Sequence, residues 1–86
     1  MHNAIIIHSQ DNVAVVIAPI AAGERISAAG RECVAAEPIP QHHKVALAPI
    51  AAGAPIVKYG ETIGVAARPI AAGQWVHTHN LTSAEE

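Results

Sequence analysis

Three copies of one phrase, Pro-Ile-Ala-Ala-Gly, recur at residues 19–23, 49–53 and 69–73 and constrain this chain more than anything else in it. Each copy follows a short apolar run: Val13 to Ile17, Val45 to Leu47, and Ile63 to Ala66. Each is followed, three residues beyond its Gly, by Ile26, Ile56 or Val76. The chain therefore reads as one unit repeated, a strand, a tight turn and a strand. Pro and Ala both suit the first turn of a helix. A helix begun at Pro19 would, however, reach only Ala22 before meeting Gly23, against the roughly 12 residues an isolated helix needs. A hairpin loop is the better fit. Ala21 and Ala22 would take the two right-handed positions of a type I turn, and Gly23 the left-handed position that closes it as a G1 bulge.

The 86 residues suffice for one domain, with a core spanning about residues 5–81 and a flexible tail over 82–86. With no Phe, one Trp and one Tyr, the interior must be built from Val, Ile and Leu, with Ala where strands approach closely. So small a core leads us to expect a partner surface or a homo-oligomer. A net charge of −2 without a basic run, and with almost no aromatic platform, argues against nucleic acid. No apolar stretch approaches the length of a membrane span or a signal-peptide core, so no membrane association is expected. The single Cys33 cannot form an intrachain disulfide, which suits the cytoplasm.

In chain order, residues 4–8 read as a first strand and 9–12 as a polar turn. Residues 13–18 form a strand apolar on both faces, the mark of a central position. Ile26 opens a return strand, punctuated at Ala28 to Arg31, and residues 32–39 are a short strand or an irregular crossing. In 44–48, Val45 and Leu47 share one face and Lys44, Ala46 and Ala48 the other. Pro55 has no N–H, so the strand through Ile56 should lie at an edge or a bulge. Gly64 marks the close approach of a backbone or a ligand, and residues 74–80 form the last strand.

Chemistry concentrates in His77-Thr78-His79-Asn80. On a strand, His77 and His79 would face the same way and offer two imidazoles to iron or zinc, with a third ligand still to be found. A solvent-facing polar strand end is the alternative. His42-His43-Lys44 is the second cluster, either an anion-facing loop or an ordinary exposed one. Tyr59-Gly60, after Lys58, is a plain turn or a ligand-facing loop. Cys33 sits in apolar context and reads as an inert thiol. No nucleophile is paired with a base and no glycine loop cradles phosphate, so the chain alone is not expected to be an enzyme.

Asp11-Asn12-Val13-Ala14-Val15, His43-Lys44-Val45-Ala46-Leu47, the run Ile56 to Gly64, and His77-Thr78-His79-Asn80 together resemble the SAF domain of the altronate and galactarate dehydratase family. The small subunit of sulfolactate sulfo-lyase is similar. The family usually has Gly immediately before the His-Lys of the middle motif; here His42 takes that place.

The resemblance implies an all-β, β-clip fold. It implies the role of a small accessory subunit of a sugar-acid dehydratase-like lyase, working with a large catalytic subunit. That enzyme would convert a sugar-acid substrate to a 2-keto-3-deoxy acid with a divalent metal, usually iron. It further implies catalytic and metal-binding roles for His77 and His79, and substrate-binding roles for His43, Lys44, Tyr59 and Asn80. A stand-alone SAF-type module that binds an acidic carbohydrate or serves assembly, without catalysis, is the alternative.

Overall fold

The structure, a computed structural model, describes residues 2–83. Nine short strands order the described residues: β1 (Ala4–Ile5), β2 (Val13–Val16), β3 (Arg25–Ala28), β4 (Arg31–Val34), β5 (Lys44–Ala46), β6 (Pro55–Lys58), β7 (Glu61–Ala66), β8 (Trp75–Val76) and β9 (Leu81–Ser83). They form a four-stranded sheet β1-β2-β5-β8, a hairpin β3-β4 and a three-stranded sheet β6-β7-β9, antiparallel throughout. The all-β expectation holds, and no described residue is helical.

The four-stranded sheet lies in the middle. Ala14, Val16 and Val45 pack with Ile26 and Ala28 of the β3-β4 hairpin on one side. Val13, Ala46 and Val76 pack with Ile56 and Ala66 of the second sheet on the other. β2 is central and nearly fully buried, as its continuous apolarity required. Full burial of an Ile or Val contributes roughly 1.5–3 kcal/mol, so Ile26, Ile56, Val45 and Val76, none of them exposed, are the principal anchors of a core without Phe.

The repeated phrase forms a turn of a different kind from the one its sequence suggested. Glu24 N–H donates to the Ala21 carbonyl, and Gly23 stands third in that turn with φ +86°. This is the type II pattern, in which only the third residue must be left-handed. The strands on either side of each phrase do not pair with each other, because the phrase carries the chain from one sheet to the next.

The backbone reveals a fourth copy. Pro38-Ile39-Pro40-Gln41-His42 makes the same turn, closed by His43 N–H to the Pro40 carbonyl, with His42 at φ +67° in the glycine position. The copies tie together reciprocally. Gly23 N–H donates to the Ala35 carbonyl and His42 N–H to the Val16 carbonyl, while Ile20 and Ile39 exchange both backbone bonds. Gly53 and Gly73 repeat the arrangement with Ala66 and Ala46, and Ile50 with Ile70.

Other expectations fare unevenly. β6 is an edge strand with an irregularity at Ile56/Val57, as Pro55 indicated. A Cβ on Gly64 would lie 2.4 Å from the Thr82 carbonyl oxygen, so the close approach is to backbone. The strand expected over 74–80 ends at Val76. The tail expected from residue 82 begins instead inside a strand, since Leu81–Ser83 pair with β7; the remainder of that tail lies outside the described residues.

Asp11 and Asn12 fasten the layers. The buried Asp11 carboxylate accepts from the N–H groups of Ile7, His8 and Gly60, linking the turn after β1 to the β6-β7 turn. Burial disfavours its charged form, but the backbone N–H groups of Gly60, His8, Ile7 and Tyr59 together outweigh that and hold the carboxyl below its ordinary value. The Asn12 side chain accepts from Val57 N–H and donates to the Pro55 carbonyl, satisfying the edge that Pro55 leaves.

Candidate functional site

The chemistry gathers at the end of the central sheet where β5 begins and β8 ends. Lys44 pairs with Val76 and Val45 with Trp75, which brings the residues just outside the two strands, His43 and His77, side by side. Val76 belongs to the second core cluster, whereas Val45 and Trp75 pack with the first. His43 therefore joins Trp75 on one face, and Lys44 projects from the other.

Trp75 is the hub. Its indole N–H donates to His43 Nδ1 at 3.2 Å, with the rings edge-on at 5.4 Å. His77 stacks on the indole at 5.4 Å and 12°, and its ring centre is 5.0 Å from that of His43. His79 tilts against the same indole at 5.4 Å. Because indole N–H is a donor only, this bond leaves Nδ1 of His43 as the acceptor and places the ring proton on Nε2. Glu37 completes the mounting by accepting the Trp75 backbone N–H at 3.0 Å.

His77 to Asn80 form a turn, not a strand, and Asn80 is the reason. It is buried, its side-chain oxygen accepts His77 N–H and its side-chain nitrogen donates to the Trp75 carbonyl, both at 2.9 Å. Short polar side chains that bond nearby backbone in this way favour turns over strands. The turn leaves His77 half-buried and His79 exposed. The two imidazoles meet through Trp75 rather than by strand alternation.

The remaining candidates sit elsewhere. Burial, and then the nearby Lys58 charge, push the Lys44 ammonium below the ordinary lysine value. Tyr59 occupies the left-handed first position of the β6-β7 turn, φ +57°, with the Lys58 ammonium 5.0 Å over its exposed ring. Cys33 is half-buried with Sγ 3.7 Å from the Ala46 carbonyl; burial raises its thiol above the ordinary value against the opposing charge of Arg31, consistent with an inert role.

Among the described residues no three of His, Cys, Asp and Glu are disposed to hold a metal ion. His43 Nδ1 is moreover engaged by Trp75. The described donors do not by themselves complete a zinc- or iron-type site, which takes at least three protein ligands. Sequence reasoning missed Trp75 and Glu37. The lone Trp, two residues before His77 and four before His79, was an available signal; nothing marked Glu37.

The molecule is thus a small all-β module of the β-clip type with one end given over to imidazoles. The family model for the altronate/galactarate dehydratase SAF domain matches residues 2–84, and the chain belongs to that family. It is 45% identical over 74 residues to altronate dehydratase of Escherichia coli (strain K12), covering 86% of this chain and 15% of that protein. It is 41% identical over 80 residues to altronate dehydratase of Bacillus subtilis (strain 168), covering 93% and 16%. To galactarate dehydratase (L-threo-forming) of E. coli (strain K12) it is 45% identical over 72 residues, covering 81% and 13%. The chain spans about a sixth of the length of these relatives or less. No helix among the described residues is long and apolar enough to cross a membrane.

Proposed function

We propose that this chain is the accessory SAF part of a cytoplasmic sugar-acid dehydratase-type lyase, lending His43, His77 and His79 to an active site completed by a larger catalytic portion. The observation that carries the reading is the convergence of histidines from two distant segments on Trp75, at an end of the sheet where His79 is open to solvent. The kinship with altronate and galactarate dehydratases supports a sugar acid as substrate.

Dehydration of such an acid transfers the proton on the carbon bearing the carboxylate to a base of the larger catalytic portion and breaks the C–O bond at the next carbon. The hydroxyl leaves as water once protonated, and the resulting enol becomes the 2-keto-3-deoxy acid. Imidazoles suit the proton transfers near neutral pH. His79, the most accessible, protonates the leaving hydroxyl; His77, steadied against the indole, hydrogen-bonds the neighbouring hydroxyl; and His43 offers Nε2–H as a donor. Lys44 projects from the opposite face of the sheet and Tyr59 stands in the β6-β7 turn, so neither adjoins the imidazoles. Asn80 acts by holding the turn, since its buried amide oxygen and nitrogen each bond the local backbone. The divalent metal, iron by family expectation, would be held by the larger portion, where it would stabilise the charge that develops on the carboxylate side of the substrate.

Co-expression with the larger dehydratase chain of the same organism, followed by assay of 2-keto acid from altronate, galactarate and sulfolactate, tests this. Losing the proton donor His79 together with the hydroxyl-binding His77 should lower turnover by about 100-fold or more in the His77→Ala/His79→Ala double variant. Turnover that is the same with and without this chain would overturn the reading in favour of a binding or assembly module.

A further inference from the structure

One face of the four-stranded sheet is only half covered. Ile5 pairs with Val15, Val15 with Lys44 and Lys44 with Val76, and directly opposed residues on antiparallel strands project from the same face. At the β8 end this row is closed, since Val76 has no exposure and lies in the second core cluster. At the β1 end it is open. Ile5 is 43% exposed, Ile17 44% and Ile7 69%. Ala4 turns into the first cluster while its neighbour Ile5 faces outward, as strand alternation requires, and Ile6 packs on that cluster between the exposed Ile5 and Ile7.

Two cations border this patch. Lys44 stands half-buried in the row, where burial and then the nearby Lys58 charge disfavour its ammonium form. Neither has a carboxylate partner: among the described residues the single salt bridge joins Arg25 to Glu32. Exposed apolar patches rimmed by polar groups mark interaction sites, and here the rim has an unmet need for negative charge.

We propose that this face, Ile5, Ile7, Val15 and Ile17 with Lys44 and Lys58 at its margin, docks onto the larger catalytic portion of the dehydratase, which presents an apolar ridge bearing a carboxylate side chain. This rests on the accessory role proposed above. A second copy of this chain is the poorer occupant, because a twofold contact apposes a patch with itself and would bring the same lysines together. The curated relatives carry the matching region as only 13–16% of a longer protein, so a body far larger than this domain is available in them to present the ridge. Docking here leaves the opposite face, with His43, Trp75 and His77, open to substrate.

The test measures affinity between this chain and the larger dehydratase chain of the same organism by titration calorimetry. Ile5→Asp/Ile17→Asp should weaken binding about 100-fold or more, as loss of a central apolar contact does, and Lys44→Glu about 10-fold or more through charge reversal. Circular dichroism should show the isolated variants folded, because the altered side chains are partly exposed. Folded variants that bind like the wild type would overturn the docking face while leaving the accessory role standing if turnover still requires the chain. A wild-type chain that neither binds nor supports turnover would overturn both. Conversion of a dimer of the isolated chain to monomer by the isoleucine changes would assign the face to a second copy and end the proposal.

Discussion

The indole N–H of Trp75 donates to Nδ1 of His43 at 3.2 Å, joining a β8 side chain to the residue that precedes β5. Trp75→Phe keeps an aromatic ring, though a smaller one, and removes the donor. Nitrogen-resolved NMR should show His43 as the single Nε2–H tautomer in the wild type and as a mixture in the variant. Loss of one such bond costs about 0.5–1.5 kcal/mol. A single unchanged tautomer in the variant would count against this orienting role.

The glycines that share φ near +85° are not equivalent. A Cβ at Gly73 would lie 2.0 Å from the Val34 carbonyl oxygen, whereas Gly23 and Gly53 face open space. Gly23→Ala and Gly53→Ala should each cost about 1–2 kcal/mol for the left-handed conformation alone. Gly73→Ala should cost several kcal/mol more or prevent folding, which urea unfolding of the three variants would show. Equal losses would mean that the backbone at Gly73 yields.

His42 holds φ +67° where the other three copies have Gly. Replacing it by Gly removes a penalty of about 1–2 kcal/mol and adds part of that back as backbone entropy. His42→Gly should therefore raise stability by about 0.5–1 kcal/mol in denaturant unfolding. A destabilised variant would show that the His42 side chain makes a net contribution to the fold.

The Asp11 carboxyl titrates below its ordinary 3.8 in the folded chain. Its contribution to stability is thus complete above the unfolded value and is lost as pH falls through the folded one. Melting temperatures should decline below about pH 4, and Asp11→Asn should flatten that acid limb while lowering stability at neutral pH. An acid limb of unchanged steepness would place the responsible group elsewhere.

Asn80→Ala leaves His77 N–H and the Trp75 carbonyl without their partners in a buried position. A loss of about 1–3 kcal/mol is expected, together with released stacking of His77 on the indole, visible as a change in Trp75 fluorescence. The conservative Asn80→Asp variant should retain the bond to His77 N–H and recover part of the loss.

Much of the fold was legible because local chemistry dictates it. The left-handed glycine closing each Pro-Ile-Ala-Ala-Gly phrase, the central β2, the edge at Pro55 and the crowded Gly64 all follow from residues that admit few conformations, whereas the hairpin expected at each phrase is a type II turn that crosses between sheets. The misreadings came where one side chain decides the backbone or where contacts are distant. Asn80 converts His77 to Asn80 from strand to turn, and Leu81 then pairs with Ala66. The fourth repeat was hidden because Pro40, Gln41 and His42 replace Ala, Ala and Gly while keeping their geometry. Trp75 as the meeting point of His43 and His77 depends on the β5-β8 register, which no local pattern encodes.

Three of the four reciprocal turns carry glycine at the left-handed position, and the fourth carries His42. That corner leads directly into His43, where the imidazole cluster begins. The backbone strain of the framework and its chemistry are therefore separated by a single peptide bond.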